Sequence, residues 1–487
     1  MTDSGDGYSV CCSDSFQSSY TSSSDRRDRQ PVGVANPIGT KLPYTTIVAA
    51  GPFAGYVFRV LCRSRILNTA IGKTYWESFV DSLFSLLFVG IIYDTMISLD
   101  KYLNKYSPTY KMTDDEKDQL LTLDKEFGDY FRHFRENWTP TESTNVEEEW
   151  VKFKKAKDKG EKYYPQIKLY KDDLDDSFLE WSKRLKHKFE QFPCYLSKFY
   201  VETIDYVYKQ AFGTITKGDV GIGALNSVLC PKVSEENYKA AWKMLEENPY
   251  RDVRDEQNYS AKDIIPMMQE HIDKCKFSYK AVLNGHMIAR QNVQPHVPEL
   301  RINTNARFSD VDVASLKVHE VEVHIGRRHY GFMTGLNLFV DGLPERNTLD
   351  EGMAIFQSLN YNPLGVKPNL KFDIAVKTVM GYHMMDKDIH EIYDMLLPKL
   401  RTEENKNNIE YILFQNLMRF KRIVQDSSIP GGDAISEEDY FCGYMMVKDL
   451  PKSLKTDIIK WNVGPKHIKD IPNLKKFFKT NKFEPLI

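Results

Sequence analysis

The stretch Ser315-Leu-Lys-Val-His-Glu-Val-Glu-Val-His-Ile-Gly-Arg-Arg-His-Tyr-Gly331 is where the residue types most plainly suggest chemistry. It holds His319, Glu320 and His324 in a His-Glu-x-x-x-His pattern. The chain has only 11 histidines, so chance is a poor explanation. Two neutral imidazoles suit a borderline-soft metal ion, and an adjacent carboxylate suits removal of a proton from water activated by that ion.

The spacing constrains the backbone. In the usual zinc-protease helix the histidines are four apart, about 40° from each other around the axis. Five apart is about 140° in a regular α-helix, too far for one ion. One widened π-type turn absorbs the extra residue, so a local bulge is expected between the two histidines. The competing reading is a strand, because Val318, Val321, Val323 and Ile325 are β-branched. Residues five apart in a strand point to opposite faces, and the site would vanish. Ser309 and Asp310 as N-caps, with Val313, Leu316 and Val323 near one helical face, favour the helix.

A third ligand is expected from a second helix. Thr348-Leu-Asp-Glu-Gly-Met-Ala-Ile-Phe-Gln357 offers a cap, then acidic residues, then an apolar run. Glu351 sits 27 residues past His324. A lone Glu is usually a surface residue, but Gly352, Met353, Ala354 and Ile355 beside it make a buried ligand a serious rival.

With these motifs the chain resembles the gluzincin-like metallopeptidases known in bacteria for a Gln-Glu-Gly-Leu-Ala motif. The animal members of that family are the microtubule-associated tyrosine carboxypeptidases, which remove the C-terminal tyrosine of α-tubulin. The likeness runs from about Tyr259 to Leu450. It takes in Leu300-Arg-Ile-Asn-Thr-Asn-Ala-Arg-Phe-Ser309, Arg327, Gly331, Arg419, Arg422, Gly431 and Gly432. The resemblance implies one zinc ion per chain held by His319, His324 and Glu351, with Glu320 as general base. Glu322 and Tyr330 stand where the family usually has glycine and asparagine.

The leading expectation is therefore a zinc metallocarboxypeptidase, which also needs a cationic group for the substrate carboxylate. Arg301, Arg307, Arg327, Arg419 and Arg422 are the candidates, since bidentate carboxylate capture favours Arg over Lys. Two alternatives stand beside it. One is an aminodipeptidase with the same five-spaced histidines. The other is a membrane- or cytoskeleton-binding protein with a structural metal, although three protein ligands leave a fourth position open and a closed site has no use for Glu320.

The elements that must position these residues follow from the rest of the chain. Its 487 residues, 41% hydrophobic and 28% charged, can build a substantial core, and the class expected is α+β, mostly helical. A net charge of −2 argues against a nucleic-acid partner. Seven cysteines without a CxxC pair argue against a disulfide scaffold and for a reducing, cytoplasmic setting. Residues 1–42 read as a disordered Ser-rich tail without a secretory signal, in which Cys11 and Cys12 are more plausibly unmodified than acylated.

Residues 43–110 carry two apolar stretches, Tyr44–Phe58 and Ser82–Tyr93, each too short to span a membrane. A buried helix or hairpin is the plain reading; interfacial membrane attachment aided by Arg59, Arg63 and Arg65 is the other. Residues 111–258 are expected to be helical. The Thr113/Glu116 capping box opens this region, residues 139–165 form a charged connector, and Phe178, Trp181, Leu185, Phe189, Tyr200, Ile204 and Tyr208 recur at helical spacing. Gly218–Gly223 resembles a phosphate loop only faintly, with no Gly-Lys-Ser/Thr after it. The catalytic domain is expected over 259–450, followed by a basic tail over 451–487. From Lys448 onward ten lysines face four acidic residues, with Trp461, Phe477, Phe478 and Phe483 interleaved. The plain reading is an ordinary solvated C-terminal helix and tail; the mixture also suits docking on an acidic surface such as a tubulin tail or an anionic membrane.

Overall fold

The computed structural model describes residues 95–137, 145–166, 174–216, 233–252, 256–285, 290–293, 297–384, 386–406, 408–421, 427–428 and 439–483. The N-terminal tail, both apolar stretches, Gly218–Gly223, Arg422, Gly431 and Gly432 lie outside them. The described part belongs to one compact unit, Ile92–Ile487, and is mostly helical with five short strands, the class expected. Among the described residues no helix is long and apolar enough to cross a membrane.

The first long helix, Asp114–Asn137, opens with the anticipated capping box: the Glu116 amide donates to Thr113 Oγ1 at 3.2 Å, and the Thr113 amide to Glu116 at 2.9 Å. The charged connector contains a helix, Val146–Asp158, whose Lys152, Lys154 and Lys157 engage carboxylates. Helices Asp176–Gln191 and Ser197–Thr216 follow and bury the predicted aromatic faces. This helical layer anchors the segment beyond the histidines. Buried Asp124 accepts from Tyr200 Oη at 2.6 Å and from the amides of Asn337 and Leu338 at 2.8 and 3.2 Å. It thereby caps the helix Asn337–Asp341 from a distance.

Strands β1 (Tyr259–Ser260), β2 (Lys280–Asn284), β3 (Gln291–Val293), β4 (Glu299–Asn303) and β5 (Arg307–Phe308) make two small sheets. In the larger one β4 is central, parallel to β2 and antiparallel to β3, which leaves β3 at an edge. β1 pairs antiparallel with β5, with Tyr259 opposite Phe308. Immediately after β5, Ser309 caps the helix Asp310–Leu316 in a capping box with Asp312. The chain continues without a break through a π-helix, Lys317–Ile325, into an α-helix, Gly326–Met333.

The strand propensity of Lys317–Ile325 is overridden because the segment is buried on several sides. Val321 and Ile325 join a core with Ile264, Met268 and Leu300. Val323 joins another, with Leu338, Met353 and Trp461. A third core, around Phe372, Val379 and Leu413, takes in Phe153 and Leu245. Helix Arg346–Asn360 begins two residues earlier than the expected Thr348 cap; the Thr348 hydroxyl instead donates to Asp439 Oδ1 at 2.6 Å. Here Gly352 meets Gly443 of helix Asp439–Val447 backbone to backbone, an approach that a Cβ on either would block.

The basic tail needs correction. Residues 452–481 form the helix Lys452–Trp461, a 3-10 turn Pro465–Asp470 and the helix Ile471–Asn481. Leu474, Phe477 and Phe478 follow helical spacing and, with Trp461, lie in the largest core, while Lys475, Lys476 and Lys479 face solvent. Trp461, Phe477 and Phe478 are thus internal and Phe483 packs half-buried against them, so they do not form an exposed docking surface.

Candidate metal centre

The π-helix settles the angular problem. Its widened turns extend over nine residues, more than the single bulge expected, and bring His319 and His324 to one side with ring centroids 4.9 Å apart. Glu351, from helix Arg346–Asn360, meets them: its Oε2 lies 3.5 Å from His319 Nε2 and 3.6 Å from His324 Nε2. A tetrahedral ion with ligands at about 2.0–2.1 Å holds its donors about 3.4 Å apart. The observed separations match that figure. Glu351 Oε2 is also buried with no hydrogen-bond partner, the condition of an atom awaiting a cation. The donor set of two imidazoles and one carboxylate is suited to zinc.

Around the donors the field is negative. His324 Nδ1 lies 3.0 Å from Asp350 Oδ1, which is also 3.5 Å from Arg327 Nε. Burial disfavours charge on His324, yet the carboxylates of Asp350 and Glu351 raise it to about 10. Burial likewise works against ionised Asp350, but His324 and Arg327 hold its carboxyl far below the usual range. The position calls for positive charge, from a proton or from a metal ion. Asp350→Asn keeps the shape and removes the charge behind His324. The expected outcome is a zinc affinity weaker by about 10- to 100-fold, measured by competition with a chelator, with the fold intact.

Glu320 is buried at the cavity wall, where Gln291 Nε2 from edge strand β3 donates to its Oε1 at 3.3 Å. Its carboxylate belongs to a cluster with His319 and His324 whose ligand atoms lie within 4.8 Å of one another. Glu322 points elsewhere and contacts His271 Nε2 at 3.1 Å. The cavity in front of these groups has a volume of about 860 Å³ and is lined also by Lys377, Arg419 and Tyr440.

Of the sequence candidates for a carboxylate-binding arginine, Arg419 lines this cavity. Arg301 pairs with Glu299 at 2.9 Å on β4, and Arg307 donates to the Gln257 carbonyl at 3.4 Å; neither reaches the cavity. Arg327 is wholly buried and donates to Asn462 Oδ1 and the Val463 carbonyl at 3.1 and 3.2 Å, so it ties the central helix to the C-terminal helices. Arg422 lies outside the described residues. Sequence reasoning missed Asp350, although it directly precedes Glu351, and Arg328, four residues past His324. It also missed Gln291, for which no local signal exists.

Residues 232–406 match the microtubule-associated tyrosine carboxypeptidase family. The resemblance carried by the motifs is therefore found over a segment that contains His319, Glu320, His324 and Glu351. It begins earlier than Tyr259 and stops short of Arg419 and Arg422. Among curated proteins none matches the chain.

Proposed function

We propose that the chain is a zinc-dependent carboxypeptidase that releases the last residue, tyrosine by family likeness, from a protein tail of the tubulin kind. One observation carries the reading: two imidazole nitrogens converge at ligand spacing on a buried carboxylate oxygen that has no other partner. The match to a family described as tyrosine carboxypeptidases agrees with it.

In this reading His319, His324 and Glu351 hold zinc, which when bound supplies Lewis-acid polarisation of the scissile carbonyl. Glu320 does the proton chemistry. Its carboxylate takes a proton from the attacking water and later delivers it to the nitrogen of the leaving amino acid, which makes that amine a better leaving group. Gln291, by donating to Glu320 Oε1, leaves the other oxygen for the proton. Asp350 fixes His324 from behind, and burial of the cluster strengthens each of these interactions.

A peptide ending in tyrosine, offered with its amino end blocked, its carboxyl end amidated, or both ends free, tests this directly. The carboxypeptidase reading expects loss of one tyrosine from the free and the amino-blocked peptides, with the amide resistant. Dipeptides appearing from the amino end would instead favour the aminodipeptidase. Absence of any product from zinc-loaded protein would favour a binding protein with a structural metal.

A further inference from the structure

A carboxypeptidase must hold a free carboxylate about one residue beyond the bond it cuts, and four of the five arginines that the sequence suggested either point away from the cavity or lie outside the described residues. Arg328 is better placed. It follows His324 by four residues on a continuous helix, so the two side chains leave the same face about 5–6 Å apart. Its side chain lines the cavity, and its Nε and Nη1 are buried without a hydrogen-bond partner. Guanidinium nitrogens shielded from water without a hydrogen bond are costly, and an anion entering through the cavity would relieve them.

The cavity's other cations are differently engaged. Arg290 and Lys367 pair with Asp312 at 2.9 and 2.8 Å. Lys377 lies over the Tyr440 ring at 4.8 Å, and both it and Arg419 act on Asp373. Arg328, by contrast, shares Asp341 with Arg346 and Arg135. Arg346 is also acted on by Asp350, so Asp341 is the carboxylate that Arg328 shares with the other two guanidinium groups. Burial raises Asp341 to about 7 against their pull, so it neutralises them poorly.

We propose that Arg328 receives the terminal carboxylate of the substrate, an assignment that rests on the carboxypeptidase reading. The guanidinium matches a carboxylate with paired donors, and one helical turn from His324 is the right reach for a residue whose preceding carbonyl sits at the metal centre. Arg328 is then the group that makes the enzyme act on chain ends.

The test uses full-length, zinc-loaded protein and one peptide ending in tyrosine, as the free acid and as the amide. Arg328→Ala should lower kcat/KM on the acid by about 100-fold, chiefly through KM, and leave the slow amide rate unchanged. Arg328→Lys should recover part of the loss, since it restores charge without the planar donors. In a Glu320→Gln background, binding of the acid should weaken similarly while binding of the amide does not change, a readout independent of turnover. Zinc content should stay at one per chain, and removal of one of three crowded cations should not lower the melting temperature. Variants that keep the wild-type preference for the acid, or lose acid and amide equally, overturn the assignment of Arg328 alone. A wild-type enzyme indifferent to amidation overturns the carboxypeptidase reading and this assignment with it.

Discussion

Glu320→Gln should retain zinc and fold while losing turnover by about 10²- to 10⁴-fold, because an amide cannot accept the proton of the attacking water. The substitution is close to isosteric, and the amide oxygen can still accept from Gln291, so packing at the cavity wall is preserved. Steady-state rates on a tyrosine-ending peptide, with metal analysis of the same preparation, provide the measurement. Glu322→Gly is the proper contrast, two residues along the same helix. Glu322 faces His271 and lies away from the cavity, so its loss should cost about 1 kcal/mol of helix stability and little activity. If both variants lost activity alike, Glu320 would not be the base.

The second large effect concerns the ligands. His319→Ala, His324→Ala and Glu351→Ala should each leave the purified chain nearly free of zinc. Three protein donors are few, and removal of one should exceed the roughly 10- to 100-fold weakening typical of a partner behind a ligand. The three variants and Asp350→Asn thus form a graded series in metal content per chain. A solvated histidine would leave the content unchanged, and wild-type-like zinc in all three alanine variants would dismiss the donor set.

Much of this arrangement was legible because its signals are local. The five-residue spacing of His319 and His324 demanded a widened turn, and Ser309 announced the helix that carries them. Glu351 was readable from its apolar neighbours, which had to be buried and drew it inward. The sequence misled where tertiary packing outweighed local preference. Thr348 has the form of a cap but serves Asp439, because the preceding turn, with Glu345 in the left-handed region, starts the helix earlier. Lysines and aromatics mixed near the C-terminus suggested a docking tail, yet their helical period sorts the aromatics inward. Arg301 and Arg327 were equivalent as letters. Only the fold separates an arginine held by Glu299 from one locked under Asn462, and shows Arg328 at the cavity with its Nε and Nη1 unbonded.

The central claim is that zinc sits between His319, His324 and Glu351, and X-ray absorption at the zinc edge of the purified full-length chain measures that most directly. The account predicts about one zinc per chain, with two imidazole nitrogens and light oxygen donors at about 2.0–2.2 Å and no sulfur at about 2.3 Å. A sulfur shell, a spectrum without imidazole scattering, or a spectrum unchanged in His324→Ala would contradict it.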